Sequence, residues 1–203
     1  VVHGLDERIA GKFLARLQDA GFSDYPSRIT IVAIKQEKVL EVWGANEETG
    51  WQLIQSVPFT GSSGKLGPKL KEGDRQIPEG IYGIEYLNPN SRFHLSMKID
   101  YPNEFDHEMA RRDGRSNLGN DIMIHGSFVT VGCIPIGDDR IEEVFLLVAK
   151  AGIENTKVII SPVDPRKGVV FPEIESVDWE HQLYESLARN LEFTALKNDS
   201  PNM

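Results

Sequence analysis

One stretch of the sequence brings a base and a nucleophile within a short spacing. His125 follows the apolar residues Ile122-Met123-Ile124 of a short predicted strand that starts at Asp121, and Gly126 comes directly after it. Eight residues after the histidine stands Cys133, preceded by Gly132. A thiol attacks as its thiolate, and an adjacent imidazole can take the proton. Glycines beside both residues leave room for a substrate carbonyl. This pattern is typical of acyl transfer with Cys133 as nucleophile and His125 as base.

The same residues have an ordinary structural interpretation. A free cysteine is among the most buried residue types and often acts as a small apolar side chain. A His-Gly pair at the end of a strand is often only a turn. The Gly-Cys pair can, however, also point backbone N–H groups at a developing oxyanion, which an acyl-transfer site requires. On spacing alone, both interpretations stay open.

The elements that must position these residues are mostly short strands. Alternating and β-branched segments separated by turn residues predict a mostly β protein with flanking helices, an α+β fold with a β-sandwich or barrel-like sheet. The predicted strands are 28–35, 38–44, 51–59, 80–87, 93–100, 121–126 and 156–163. The predicted helices are 5–20, 139–151 and 176–196.

Helix boundaries follow from capping residues. We expect Asp6 to cap the first helix and Gly21 to end it, and Gly152 to end the second helix. Residues 106–120 are rich in charged residues, Gly and Asn, and we expect a polar loop there. Residues 197–203 are expected to be frayed.

Composition excludes several function classes. The chain has 203 residues, of which 40% are hydrophobic and 26% charged, as in an ordinary globular protein. Its net charge of -9 without a basic cluster argues against nucleic-acid binding. No apolar run approaches a membrane span, and a single cysteine cannot form an internal disulfide. The chain starts at Val1 without an initiator methionine, so we expect a processed or trimmed chain.

Two further motifs fail their tests. The glycine-rich segment 61–69 lacks the Ser or Thr that follows Gly-Lys in a phosphate-binding loop. His107-Glu108 begins like a zinc-protease helix, but the second histidine is missing. We therefore expect neither a phosphate site nor a metal site.

The residues around Cys133 resemble a known family signature. His125-Gly126 followed by Thr130-Val131-Gly132-Cys133 is similar to the active-site pattern of the L,D-transpeptidase catalytic domain family, called YkuD-like. Further segments resemble the YafK-like branch of that family, namely 67–69, 72–74, 76–82, 88–96 and 141–145. Two positions depart from the common pattern. Val131 stands where many members have His, and Pro135 where many have Arg.

The resemblance implies a domain layout and a reaction. It implies an L,D-transpeptidase-like catalytic domain over 27–165, with an N-terminal helical segment over 1–26 and a C-terminal helical extension over 166–203. It implies attack by Cys133 on a peptidoglycan stem peptide, across the L,D bond of the third-position diamino acid. No metal or organic cofactor is needed. The carbonyl of Gly126 would orient His125, and the N–H groups of Gly132 and Cys133 would hold the oxyanion.

The resemblance also implies a pocket and a location. His94, Ser96, Ser127 and Thr130 are candidates to line the pocket. Arg111, Arg112 and Arg115 are candidates to meet substrate carboxylates from a lid formed by the 106–120 loop, although a solvated loop is an equal expectation. Action on the wall implies export, so we expect a periplasmic or cell-wall-associated protein, with a wall-linked lipoprotein as a further candidate partner.

Three alternatives stay open from sequence. The thioester could be resolved by an amine, giving a transpeptidase, or by water, giving an L,D-carboxypeptidase or an amidase on wall peptides or wall-protein linkages. The chain could be an inactive cell-wall binding module. It could also be a cysteine peptidase with a substrate outside the wall.

Overall fold

The computed structural model describes residues 2–197 and consists of short strands flanked by helices. The strands are β1 Arg28–Ile34, β2 Val39–Asn46, β3 Gly50–Pro58, β4 Gly80–Ser91, β5 His94–Ile99, β6 Met123–His125, β7 Ile134–Pro135 and β8 Thr156–Ser161. The α-helices are α1 Val2–Asp19, α2 Glu104–Arg112, α3 Asp138–Ala151 and α4 Glu180–Leu191. Short 3-10 turns occupy Ile153–Asn155, Pro165–Lys167 and Glu192–Lys197.

All eight strands belong to one mixed sheet. Their order is β3-β2-β1-β8-β4-β5-β6-β7. The β1–β8 and β6–β7 pairs are parallel, and the other neighbouring pairs are antiparallel. The mostly β fold with flanking helices is confirmed. Strand β7 was not expected, because Ile134-Pro135 is too short to give a pattern of its own.

Helices cover both faces of the sheet. Alternate residues of β1 belong to two separate apolar clusters: Ile31 packs in the cluster that includes α3, and Val32 in the one that includes α4. A strand buried on both faces reads as a continuous apolar run, which β1 does. The C-terminal helix is shorter than the predicted 176–196. It begins at Glu180, after the non-helical Trp179, and ends at Leu191.

Helix α1 packs on α3 through its apolar side, where Leu5, Phe13 and Leu17 are buried. The predicted N-cap at Asp6 is wrong. The helix begins at Val2, one turn earlier, because the burial of Leu5 holds that turn in place. Asp6 instead accepts hydrogen bonds from Lys150 and from the hydroxyl of Tyr25. Gly21 and Gly152 have positive φ angles and lie just beyond the ends of α1 and α3, as predicted.

The polar segment 106–120 is not simply a loop, and that prediction is also wrong. It begins inside α2, whose first turn is closed by a capping box between Asn103 and Asp106. Met109 and Ala110 form the buried side of this helix, while its other face is charged. The predicted frayed segment 197–203 lies outside the described residues, except for Lys197.

A buried ion pair joins the glycine-rich segment to the C-terminal helix. The Nζ of Lys35 lies 2.8 Å from Oε1 of Glu79 and also donates to the carbonyls of Gly67 and Ile77. The other carboxylate oxygen of Glu79 accepts a hydrogen bond of 2.9 Å from Tyr184 on α4. Burial lowers the pKa of Lys35, and Glu79 partly offsets this. Every polar atom of the pair therefore has a partner, as stable burial of charge requires.

Candidate active site

His125 ends β6, and Cys133 directly precedes β7, the neighbouring strand at the edge of the sheet. Strand β6 pairs with β7 so that Ile124 is opposite Ile134 and His125 opposite Pro135. Cys133 directly precedes Ile134 and thus meets Met123, whose N–H donates to Sγ at 3.4 Å. Side chains alternate along a strand, so Met123 and His125 face the same side of β6. The register brings the thiol to the side of the sheet that carries the imidazole.

The ring of His125 is held by its neighbour along the chain. Nδ1 lies 2.5 Å from the carbonyl oxygen of Gly126. A carbonyl oxygen only accepts, so Nδ1 carries the proton in the neutral ring and Nε2 keeps a free lone pair. The ring is buried, and this burial lowers the pKa of His125 below its ordinary value. The aromatic ring of Phe93 packs against the imidazole with centroids 4.7 Å apart.

The environment of Cys133 favours the protonated thiol. Burial raises its pKa, while the N–H of Met123 acts in the opposite direction. The thiol donates weakly to the carbonyl of Asp121 at 3.6 Å. Within residues 2–197, no hydrogen bond links Sγ to His125. The directions of the two pKa shifts therefore favour a neutral thiol and a neutral imidazole over a thiolate–imidazolium pair.

The turn that carries Cys133 is closed by two hydroxyl groups. Thr130 Oγ1 accepts from the Cys133 N–H at 3.0 Å and donates to the Cys133 carbonyl at 2.7 Å. The Gly132 N–H donates to Ser63 Oγ at 2.7 Å. Gly132 has φ +88°, a conformation that favours glycine. Both N–H groups expected to hold an oxyanion thus have hydroxyl partners here.

Ser63 was missed by the sequence analysis. It lies in the glycine-rich segment that failed the phosphate-loop test, and its own hydroxyl donates to the carbonyl of Arg75 at 2.9 Å. No local pattern predicts its contact with a residue 69 positions away. The segment therefore belongs to the wall of the candidate site.

The other predicted pocket residues take different positions. Ser96 pairs with His125 across β5 and β6 and is buried. His94 begins β5 and lies 2.6 Å from the carboxylate of Glu142 through Nε2. The N–H of Ser127 donates to Asp138 Oδ1 at 2.7 Å, and its carbonyl accepts from Thr60. These contacts tie the turn to the start of α3.

Two of the three arginines proposed for substrate binding are already paired. Arg112 meets Asp178 at 2.8 Å. Arg115 bonds Asp113 and the carbonyl of Leu70. Arg111 lies on the exposed side of α2. Their role toward substrate stays a prediction.

An apolar rim lies beside the site. Phe128 is 71% exposed and Val131 65% exposed, and Val129 lies between them. Within the described part of the chain, no three His, Cys, Asp or Glu side chains are close enough together to hold a metal ion. No helix in residues 2–197 has the length and apolar content to span a bilayer.

Comparison with known proteins decides the family. The model of the L,D-transpeptidase catalytic domain, YkuD, matches residues 27–160. The chain belongs to this L,D-transpeptidase family. The match includes β1 through nearly all of β8 and contains both His125 and Cys133. Helices α1 and α4 lie outside it.

Individual relatives agree with this assignment. The chain is 34% identical over 141 residues to a protein of Escherichia coli K12 named "Putative L,D-transpeptidase YafK", covering 67% of this chain and 54% of the relative. This confirms the similarity to the YafK-like branch. The chain thus spans about half the length of this relative.

A solved structure shares the fold. The helical cell shape determining protein Pgp2 of Campylobacter jejuni superimposes with a TM-score of 0.54 at 21% identity. The superposition covers 80% of this chain and 57% of that protein. At this identity the match concerns the fold of the catalytic domain and not its substrate.

Proposed function

We propose that this domain catalyses thiol-dependent acyl transfer on peptidoglycan stem peptides. The observation that carries the proposal is the register of β6 with β7. It brings Cys133, directly before β7, against the strand that ends in His125, whose Nδ1 is held by the Gly126 carbonyl. Family membership supplies the substrate class, and the geometry supplies an acid–base residue with its lone pair free at Nε2.

The first chemical step transfers one proton and forms one bond. Nε2 of His125 takes the thiol proton as Sγ attacks the carbonyl carbon of the third-position diamino acid. For this the thiol leaves the Asp121 carbonyl and turns toward the imidazole. A general base fits the neutral pair better than a preformed thiolate does, because burial raises the pKa of Cys133 and lowers that of His125.

The tetrahedral oxyanion needs hydrogen-bond donors. The Gly132 N–H is the better candidate for this donor. Its partner Ser63 lies in a separate loop, so a substrate oxygen can displace the Ser63 hydroxyl. The Cys133 N–H is held by Thr130 within the same turn. One such donor typically contributes about 2.7–4 kcal/mol to the transition state. The substrate oxygen therefore replaces the Ser63 hydroxyl at Gly132.

The second half of the reaction releases D-alanine and resolves the thioester. The His125 imidazolium returns its proton to the leaving amine as the C–N bond breaks. An incoming amine or a water molecule then attacks the thioester and regenerates the Cys133 thiol. An amine acceptor gives transpeptidation; a wall-linked lipoprotein is a further partner to test.

Water is the second candidate acceptor. The turn between His125 and Cys133 faces solvent, with Phe128 and Val131 largely exposed. Nothing in that segment excludes water from the thioester, so hydrolysis to a shortened stem competes with crosslinking. Both reactions require a protein exported to the periplasm or cell wall.

Mass spectrometry of purified muropeptides tests the proposal. Incubation with the protein is expected to give crosslinked dimers or shortened stems, and the Cys133→Ala variant neither. Dimers identify the transferase, and shortened stems the hydrolase. Binding of muropeptides without any product from the wild-type protein would instead identify an inactive binding module.

A further inference from the structure

One carboxylate outside the reacting pair joins three elements of the fold. Glu142 on α3 has a buried side chain, 7% exposed, and both of its oxygens are engaged. Arg8 on α1 binds them in a bidentate contact of 2.7 and 2.8 Å. His94 at the start of β5 binds Oε1 through Nε2 at 2.6 Å. We call these three residues the Glu142 cluster.

The backbone of His94 needs an anchor. Its φ is +72°, a left-handed conformation that a residue other than glycine adopts at an energetic cost. Such a conformation persists only where surrounding contacts fix it. The hydrogen bond of its Nε2 with Glu142 is the side-chain contact that fixes it here. The cluster therefore sets the position at which β5 begins.

The start of β5 forms the wall behind His125. The Phe93 ring packs on the imidazole, and the Leu95 carbonyl accepts from the Gly126 N–H at 3.1 Å. A Cβ atom at Gly126 would collide with the Phe93 carbonyl oxygen and with Asp138 Oδ1, and it would lie tightly against His94 Cβ, so the backbones of Gly126 and Phe93 are in direct contact. Gly126 in turn supplies the carbonyl that holds Nδ1. A shift of β5 moves both supports of the imidazole.

We propose that the Glu142 cluster is a positioning device for His125. It fixes Phe93 and Gly126 so that the imidazole keeps its proton on Nδ1 and presents Nε2 to the thiol. Through Arg8, helix α1 helps to position His125, although α1 lies outside the family match. The kinetic side of this inference rests on the proposed function, but the tautomer of His125 does not.

The same two helices provide a matched control. Arg16 on α1 binds Glu143 on α3 at 2.5 Å, one residue along from Glu142. Glu143 otherwise meets Arg140. In the described residues it makes no hydrogen bond or ion pair with β5. Loss of the Arg16–Glu143 pair weakens the α1–α3 packing without disturbing the wall behind His125.

The experiment compares Arg8→Gln and Glu142→Gln with Arg16→Gln and Glu143→Gln. Three quantities are measured: melting temperature, kcat and KM on muropeptides, and the 15N chemical shifts of the His125 ring nitrogens. We expect the Glu142-cluster variants to lower kcat by about 10- to 100-fold with little change in KM. The His125 ring in these variants should populate both neutral tautomers. The control variants should change the melting temperature only.

Each outcome has a distinct meaning. Unchanged tautomer and kcat in folded Arg8→Gln and Glu142→Gln would overturn the inference. If Glu142→Gln does not fold, Arg8→Gln decides, because the Arg8 side chain is more than half exposed. An Arg8→Lys variant, which keeps the charge, should recover part of the kcat. An inactive wild-type protein with a single His125 tautomer, lost in Arg8→Gln, would refute the proposed function and support the positioning role.

Discussion

The Lys35–Glu79 pair and the His125–Cys133 pair both place ionisable side chains away from water, but they differ in how fully those side chains are bonded. Lys35 has three partners, and each oxygen of Glu79 has at least one. Within residues 2–197, the His125 ring has one hydrogen bond, at Nδ1, and the Cys133 thiol has two long, weak ones. Full bonding stabilises a fold, whereas a free lone pair beside a thiol is what chemistry requires. The difference predicts which pair governs stability and which governs turnover.

The largest expected effect is on turnover. The His125→Gln variant removes the base and should lower kcat by about 10²- to 10⁴-fold. Its unfolding free energy should fall by only about 1–3 kcal/mol, because a single buried hydrogen bond is lost. The same substitution at exposed His107 is the control and should change neither. A His125→Gln variant with wild-type turnover would show that the imidazole is structural.

The next largest effect is on stability. The Lys35→Met variant leaves a buried carboxylate without its cation and should lower the unfolding free energy by about 3–5 kcal/mol in denaturant titrations. Turnover per folded molecule should stay close to wild type. The double variant Lys35→Met with Glu79→Gln should recover most of the loss, because no unpaired charge is left. If the double variant is as unstable as the single one, the charge pairing is not what holds this region.

A third prediction concerns pH. Burial raises the pKa of Cys133, so the thiolate fraction at a given pH is smaller than for an exposed thiol. The rate of alkylation by iodoacetamide should therefore keep rising with pH beyond the range in which an ordinary thiol has reached its plateau. A plateau reached below neutral pH would instead indicate a thiolate–imidazolium pair and contradict the neutral resting site.

The smallest effect concerns Ser63. The Ser63→Ala variant frees the Gly132 N–H from a competing hydroxyl, so kcat/KM should rise by about 2- to 10-fold, the equivalent of one neutral hydrogen bond. Ser62→Ala, on the adjacent exposed residue, should have no effect. A large fall in kcat/KM for Ser63→Ala would show that the hydroxyl assists the reaction rather than occupying the place of the substrate oxygen.

The contrast between these regions also explains what the sequence could predict. The strands, the His-Gly end of β6 and the Gly-Cys turn each have a local sequence pattern. The mostly β fold predicted from the strand patterns is confirmed, and the roles of His125 and Cys133 stay predictions. Ser63 and Glu142 reach the site through contacts 69 and 48 residues apart in the chain. Such contacts depend on sheet order, which local periodicity does not contain. Helix α2 was not predicted, because its polar composition was interpreted as a loop and the Asn103–Asp106 capping box was not recognised.

The most direct test is a search for the acyl-enzyme. The protein is mixed with a stem tetrapeptide, quenched in acid and analysed by intact-protein mass spectrometry and peptide mapping. A mass increase equal to the tripeptide acyl group on the peptide that contains Cys133, with release of D-alanine, is the predicted result. D-alanine release with Cys133 unmodified, and persisting in Cys133→Ala, would contradict a thiol mechanism.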